Sequence, residues 1–279
     1  MDIARPEIKA KKTKRRRLII GTGIVVVLVA VAVLLWRTET RPHHEYEYVI
    51  LTVNSRTTRA LIVFPKLRGK ASVVVLVHEV YGLTDWAKEM ADELADEGYI
   101  VIAPDFLSGD GPHGGGFDDF AIESDRVSAI QSLNPNVVSE DLDGAVDYGK
   151  KLPNANGKIA VVGFSWGGRT AFEFAKHRKD LGAVFVFYGI APGDVTTITA
   201  PVYGFYGGAD GAVTGSVPGT AEQMKEAGKF YDPVTYEGAD HGFMRVAGVL
   251  GANKTARDEA YRRLVNLLRQ MDDRLESHR

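Results

Sequence analysis

Two kinds of hydrophobic pattern divide the chain. Residues 18–36 are nineteen consecutive positions without a charge, dense in Val, Leu and Ile on every side. After them, apolar residues come in runs of five to seven, separated by segments in which they recur every three or four positions. Short continuous runs predict strands buried on both faces, and the 3.6-residue repeat predicts helices packed upon them. The strand-like runs are 47–52 and 58–64, read as an antiparallel pair, then 72–77, 99–103, 158–162, 183–188, 201–206 and 230–236. Helical spacing covers 84–97, a segment opened by Ser139 with Leu142, Val146 and Leu152 inward, then 169–177 and 256–275. In the last of these Ala260, Leu264, Leu268, Met271 and Leu275 share one face, a stripe expected in the core. Alternation of the two patterns predicts an α/β fold: a mainly parallel central sheet with helices on both faces.

The 18–36 run has another meaning. Nineteen helical residues at about 1.5 Å each span roughly the hydrocarbon thickness of a bilayer. Lys9, Lys11, Lys12, Lys14, Arg15, Arg16 and Arg17 precede the run, against Arg37 and Arg41 just after it. The positive-inside rule then predicts a basic cytoplasmic tail over 1–17, one transmembrane signal-anchor helix over 18–36, a linker over 37–44, and a domain over 45–279 outside the cytoplasm, periplasmic or extracellular. Ala30, Val31 and Ala32 offer a small-x-small cleavage site. The apolar run nevertheless passes that site through Trp36 and exceeds the ~7–15 residues of a cleavable signal's core, so retention is expected.

Charge follows the same division. Of the chain's 34 Lys+Arg and 36 Asp+Glu, ten and three lie in the first 41 residues, which leaves the remainder at a formal net −9. An acidic domain predicts no nucleic-acid partner, and the basic tail fits anionic headgroups. Cysteine is absent, so disulfides are excluded. The seven histidines are scattered and none forms an H-x-x-x-H pair with a nearby glutamate, so no metal and no cofactor is expected.

The candidate chemistry starts at Gly163-Phe164-Ser165-Trp166-Gly167-Gly168, which joins a strand-like run to a helix-like one. A G-x-S-x-G turn in that context is a nucleophile elbow, whose glycines permit a sharp turn that lifts the Ser hydroxyl above the sheet. A hydroxyl is a weak nucleophile at neutral pH and needs a base, oriented in turn by a carboxylate. Asp210 follows the run 201–206, and His241 follows 230–236, giving the chain order Ser, Asp, His expected of this architecture. Asp194 and Asp240 compete for the carboxylate role, although the first comes one strand early and the second adjoins the histidine. The oxyanion donors expected here are the backbone N–H groups of Trp166, after the nucleophile, and of Val80, in the loop after the third strand.

With these residues in place the chain resembles the dienelactone hydrolase family of α/β-hydrolases over roughly residues 46–275. The resemblance adds His78-Glu79-Val80-Tyr81-Gly82, similar to the family's glutamate-bearing loop, and Arg245, four residues after His241, where the family has a substrate-binding arginine. Arg126 is a second anchor by family position. The best-known members carry Cys at the elbow, and their glutamate helps control the thiol's ionisation. Ser165 is too weak an acid for that role to carry over to Glu79. An ionised Glu79 beside the oxyanion would be repulsive, so Glu79 is expected to be protonated or turned towards an arginine.

Together these residues imply hydrolysis of a lactone or small ester, with Arg245 either anchoring a substrate carboxylate or paired within the protein. Tyr81 and Trp166 line the acyl pocket or pack on the sheet, and His78 reads as a hydrogen-bonded structural histidine. The stretch 109–116, rich in glycine, reads as a mobile loop near the site mouth. General carboxylesterase or acyl-transferase activity fits the same residues, since elbow and triad do not name the acyl acceptor. A catalytically silent binding domain on the same scaffold is the alternative of another kind.

Overall fold

The computed structural model describes residues 46–276 apart from 55, 67, 68, 247 and 249, so the expected transmembrane helix over 18–36 lies outside the described residues. Among the described residues no helix is long and apolar enough to cross a membrane. Eight strands form one sheet: β1 (Glu47–Val53), β2 (Arg56–Val63), β3 (Ala71–Val77), β4 (Ile100–Pro104), β5 (Ala155–Phe164), β6 (Ala183–Phe187), β7 (Val202–Gly207) and β8 (Tyr231–Tyr236). Their order is β1-β2-β4-β3-β5-β6-β7-β8, and β2 runs antiparallel to both neighbours while all other pairs are parallel.

The central strands are buried on both faces because helices cover both. Alternate residues of each strand serve opposite layers. Val74, Leu76, Val101, Val162, Phe185 and Phe205 pack with α1 (Asp85–Asp96) and with Ala260, Leu264, Leu268 and Met271 of the C-terminal helix, Ala252–Glu276. Val73, Val75, Val77, Ile102, Val161, Val184 and Val186 pack on the other side against Val138, Leu142 and Phe172. These last three belong to α3 (Pro135–Lys151) and α4 (Trp166–Phe174); α2 (Glu123–Ser132) precedes them, α5 (Gly211–Thr214) and α6 (Val217–Glu226) follow, and α7 is the C-terminal helix.

Differences from the pattern have local causes. Helix α3 starts four residues before Ser139, because Asn134 caps it by accepting the Asn136 N–H at 3.0 Å and Pro135 supplies a preset first turn. Helix α2 carries no clear stripe: Ile130 is its one fully buried residue, so the apolar repeat that betrays a helix is missing. Residues 109–116 form a cross-bonded turn. Gly109 and Gly111 N–H both donate to the Gly115 carbonyl, and the Asp119 carboxylate accepts from the His113 and Gly115 N–H groups. Phe117, just beyond, lies against Gly82 in the loop after β3.

Candidate active site

The site is assembled at the C-terminal ends of β3, β5, β7 and β8. Ser165 stands between β5 and α4 with φ 54° and ψ −114°, a left-handed conformation that a residue with a Cβ adopts only under strain. The strain is held by the Ser165 N–H, which donates to Phe187 O at 3.0 Å, and by close backbone packing at both flanking glycines. The hydroxyl Oγ lies 2.8 Å from His241 Nε2, and His241 Nδ1 lies 2.6 Å from Asp210 Oδ2.

Backbone bonds lock the two partner loops together. Gly208 N–H donates to Tyr236 O at 2.7 Å, and Ala209 N–H donates to Ala239 O at 2.8 Å. Asp210 then begins α5 and is held by Val213 N–H, which donates to its Oδ1. Its carboxylate is nearly buried, at 7 % exposure, whereas the His241 ring is 45 % exposed. Neither competitor reaches the imidazole: Asp240 pairs with the Asn253 side chain, and Asp194 accepts from Thr196 in its own turn. A hydroxyl, an imidazole and a buried carboxylate in series can move a proton off the hydroxyl and stabilise the imidazolium that results.

Glu79 points at the arginine. Arg245 Nε donates to Glu79 Oε2 at 2.7 Å, and Tyr188 OH donates to Oε1 at 2.9 Å, so a carboxylate only 4 % exposed has a donor on each oxygen. The Arg245 guanidinium also lies 4.5 Å above the Tyr81 ring. Burial works against its charge, and the Glu79 hydrogen bond and charge outweigh that, raising its pKa. Arg126 is engaged elsewhere: it donates to Phe120 O, lies 3.9 Å from Glu123 and stacks on Phe117.

Tyr188 is the member that sequence reading missed. It sits just beyond β6 at φ 40°, almost fully buried, with its ring edge-on to His241 at 5.1 Å between centroids. Burial first, and then the Glu79 charge, raise its phenol pKa well above the ordinary value, so it donates as a neutral phenol. The available signal was a large polar-tipped aromatic ending an apolar run beside the elbow.

His78 is fully buried between Phe106 and Trp166. Burial pushes its imidazole down from 6.5 to about 4. Between those values the unfolded chain binds the proton that the folded chain refuses. Stability should therefore fall by about 3 kcal/mol as pH drops from about 6.5 to about 4. Thermal melts at pH 7.5 and 4.5 check this against His78→Asn, which has no such proton to refuse. An acid loss equal in both proteins would refute it.

Among the described residues no group of three His, Cys, Asp or Glu is placed to hold a metal ion. Residues 58–272 match the sequence profile of the dienelactone hydrolase family. The chain belongs to this family. A Methylorubrum extorquens protein named "Putative carboxymethylenebutenolidase" is 30 % identical over 193 residues, which span 64 % of this chain and 65 % of that one. An Escherichia coli K12 protein of the same name is 28 % identical over 63 % of this chain and 68 % of its own length. The aligned stretches thus cover about two thirds of these relatives. Among solved structures, a dienelactone hydrolase-like promiscuous phosphotriesterase from metagenomic libraries superposes with a TM-score of 0.69 at 23 % identity, over 82 % of this chain and 99 % of that one. At that identity the likeness speaks for the shared α/β-hydrolase fold.

Proposed function

We propose that the chain is a membrane-anchored, serine-dependent hydrolase of lactones or small carboxylic esters. The observation that carries this reading is the unbroken series Ser165, His241 and Asp210, at 2.8 and 2.6 Å, on a serine held at positive φ. Family membership supports the ester-hydrolase class. In the proposed reaction His241 Nε2 takes the Ser165 proton as Oγ attacks the carbonyl, and Asp210 holds the Nδ1–H tautomer. The tetrahedral oxyanion is met by the Val80 and Trp166 N–H groups, which no acceptor among the described residues occupies. Collapse expels the alkoxide, protonated by His241, and water then releases the acid from Ser165 by the same route.

The test is stoichiometric labelling of the detergent-solubilised full-length chain with a fluorophosphonate. Labelling is expected in the wild type and absent in Ser165→Ala and His241→Ala; label retained in both variants would sink the reading.

Glu79 is proposed to act here through Arg245 and Tyr188. Turned away from the oxyanion, it leaves the Arg245 Nη atoms and the Tyr81 ring to border the substrate. A substrate carboxylate would find a cation there already half-compensated by Glu79, so its benefit is modest. Arg245→Ala is expected to lower kcat/KM by about tenfold more for an acidic ester than for its methyl ester. Equal losses on the two would end the anchor role.

The proposed anchor is residues 18–36, with 1–17 in the cytoplasm and the hydrolase domain, over 45–279, outside it, periplasmic or extracellular. N-terminal peptide mapping of the mature membrane-bound protein is expected to recover residues preceding 18. A mature terminus near Val33 would replace the anchor with a cleaved signal.

A further inference from the structure

We infer that His78 is a positioning residue for the oxyanion site: its Nδ1–H holds the 79–80 peptide so that the Val80 N–H faces the space above Ser165, while its ring braces Trp166. The inference rests on the reading of Ser165 as nucleophile.

The tautomer follows from the contact. His78 Nδ1 lies 2.8 Å from the Glu79 carbonyl oxygen, which can only accept, so Nδ1 carries the hydrogen. The same oxygen also accepts the Gly82 N–H at 3.0 Å. In a trans peptide the C=O and the following N–H point in opposite directions, and no cis bond occurs among the described residues. Two donors fixing the Glu79 carbonyl therefore fix the Val80 N–H on the other side of the same plane. They also polarise that peptide, which strengthens its N–H as a donor.

The elbow is in immediate contact with this segment. A Cβ on Gly167 would lie 2.3 Å from Val77 O and 2.4 Å from His78 O, so the first turn of α4 is seated directly on the end of β3. Trp166, the residue carrying the second proposed donor, stacks on the His78 ring at 5.9 Å and 20°. One imidazole thus touches both halves of the oxyanion site.

Packing alone does not account for a histidine here. His78 Nε2 is buried with no hydrogen-bond partner, facing a shell that includes Phe106 and Trp166. Leucine would fill such a place without an unsatisfied nitrogen. What leucine lacks is the Nδ1–H. Burial lowers the ring's pKa to about 4, so above that pH it is the neutral tautomer, with Nδ1–H donating and Nε2 bare.

The test uses the full-length chain in detergent with p-nitrophenyl acetate as substrate and an aryl trifluoromethyl ketone as oxyanion-forming inhibitor. Asn places an amide N–H near the imidazole Nδ1 position, whereas Gln and Leu do not. His78→Leu and His78→Gln are expected to lower kcat about 10- to 100-fold with KM within about twofold, and to weaken the ketone by a similar factor. His78→Asn should recover most of both. If His78→Leu does not fold, the Asn and Gln pair still decides. Equal kcat and equal ketone affinity in the Asn and Gln variants would overturn the inference, leaving His78 as a packing residue. Turnover that survives Ser165→Ala in the same series would instead overturn the serine reading and, with it, this inference.

Discussion

Replacing Ser165 with alanine is expected to lower kcat by about four to six orders of magnitude while the fold persists. The size of the effect follows from the series of hydrogen bonds. His241 Nε2 lies 2.8 Å from the Ser165 hydroxyl, and Asp210, nearly buried, is committed to the other ring nitrogen. In the proposed reaction, loss of the hydroxyl leaves His241 no nucleophile proton to take, and the residual rate is expected to come from oxyanion stabilisation and binding. The same logic makes the members non-additive. A Ser165→Ala/His241→Ala double variant should be no slower than the slower single variant, within about threefold. Rates multiplying across the two changes would show that they act independently and that the series is not a working unit. Thermal unfolding of Ser165→Ala should stay close to wild type, since alanine has the same Cβ at φ 54° and the holding bond is a backbone one.

The second large effect is on stability. Gly163→Ala should destabilise the fold by about 4 kcal/mol or more, because the added Cβ would lie 2.1 Å from Gly167 O and 2.6 Å from Gly167 C. Both are backbone atoms, pinned between β5 and the first turn of α4, and neither can move without carrying Ser165 with it. Gly219 in α6 is the internal control. Nothing lies within 4 Å of a Cβ built there, so Gly219→Ala should stabilise by about 0.5–1 kcal/mol through helix propensity. Urea melts of both variants check the pair. A Gly163→Ala midpoint close to wild type would mean that the elbow tolerates repacking and that its tightness does not come from this contact.

Much of the architecture could be read from local pattern. Strand runs such as 73–77 and 183–187 are apolar at every position because both faces are covered, and that continuity survives in a single sequence. The C-terminal stripe of Ala260, Leu264, Leu268 and Met271 is legible for the related reason that a helix on a sheet buries one face only. Helix α2 was illegible because it buries little, and the true start of α3 was hidden because Asn134 and Pro135 set it by capping, before any apolar repeat begins.

The sequence by itself determined the chemical order of the site: a serine at a glycine-flanked turn, then Asp210, then His241, each after a strand-like run. Turn chemistry and chain order are local properties, carried by the residues themselves. Chain order favoured Asp210 over Asp194 and Asp240, and the tertiary structure brought its carboxylate to the imidazole through backbone bonds that zip the loops after β7 and β8 together. It alone turned Glu79 onto Arg245 and Tyr188, and set His78 against the Glu79 carbonyl and the Trp166 ring. Those pairings join residues as far as 166 positions apart, and a distance in space between distant positions is fixed by packing of the whole sheet, not by any spacing along the chain.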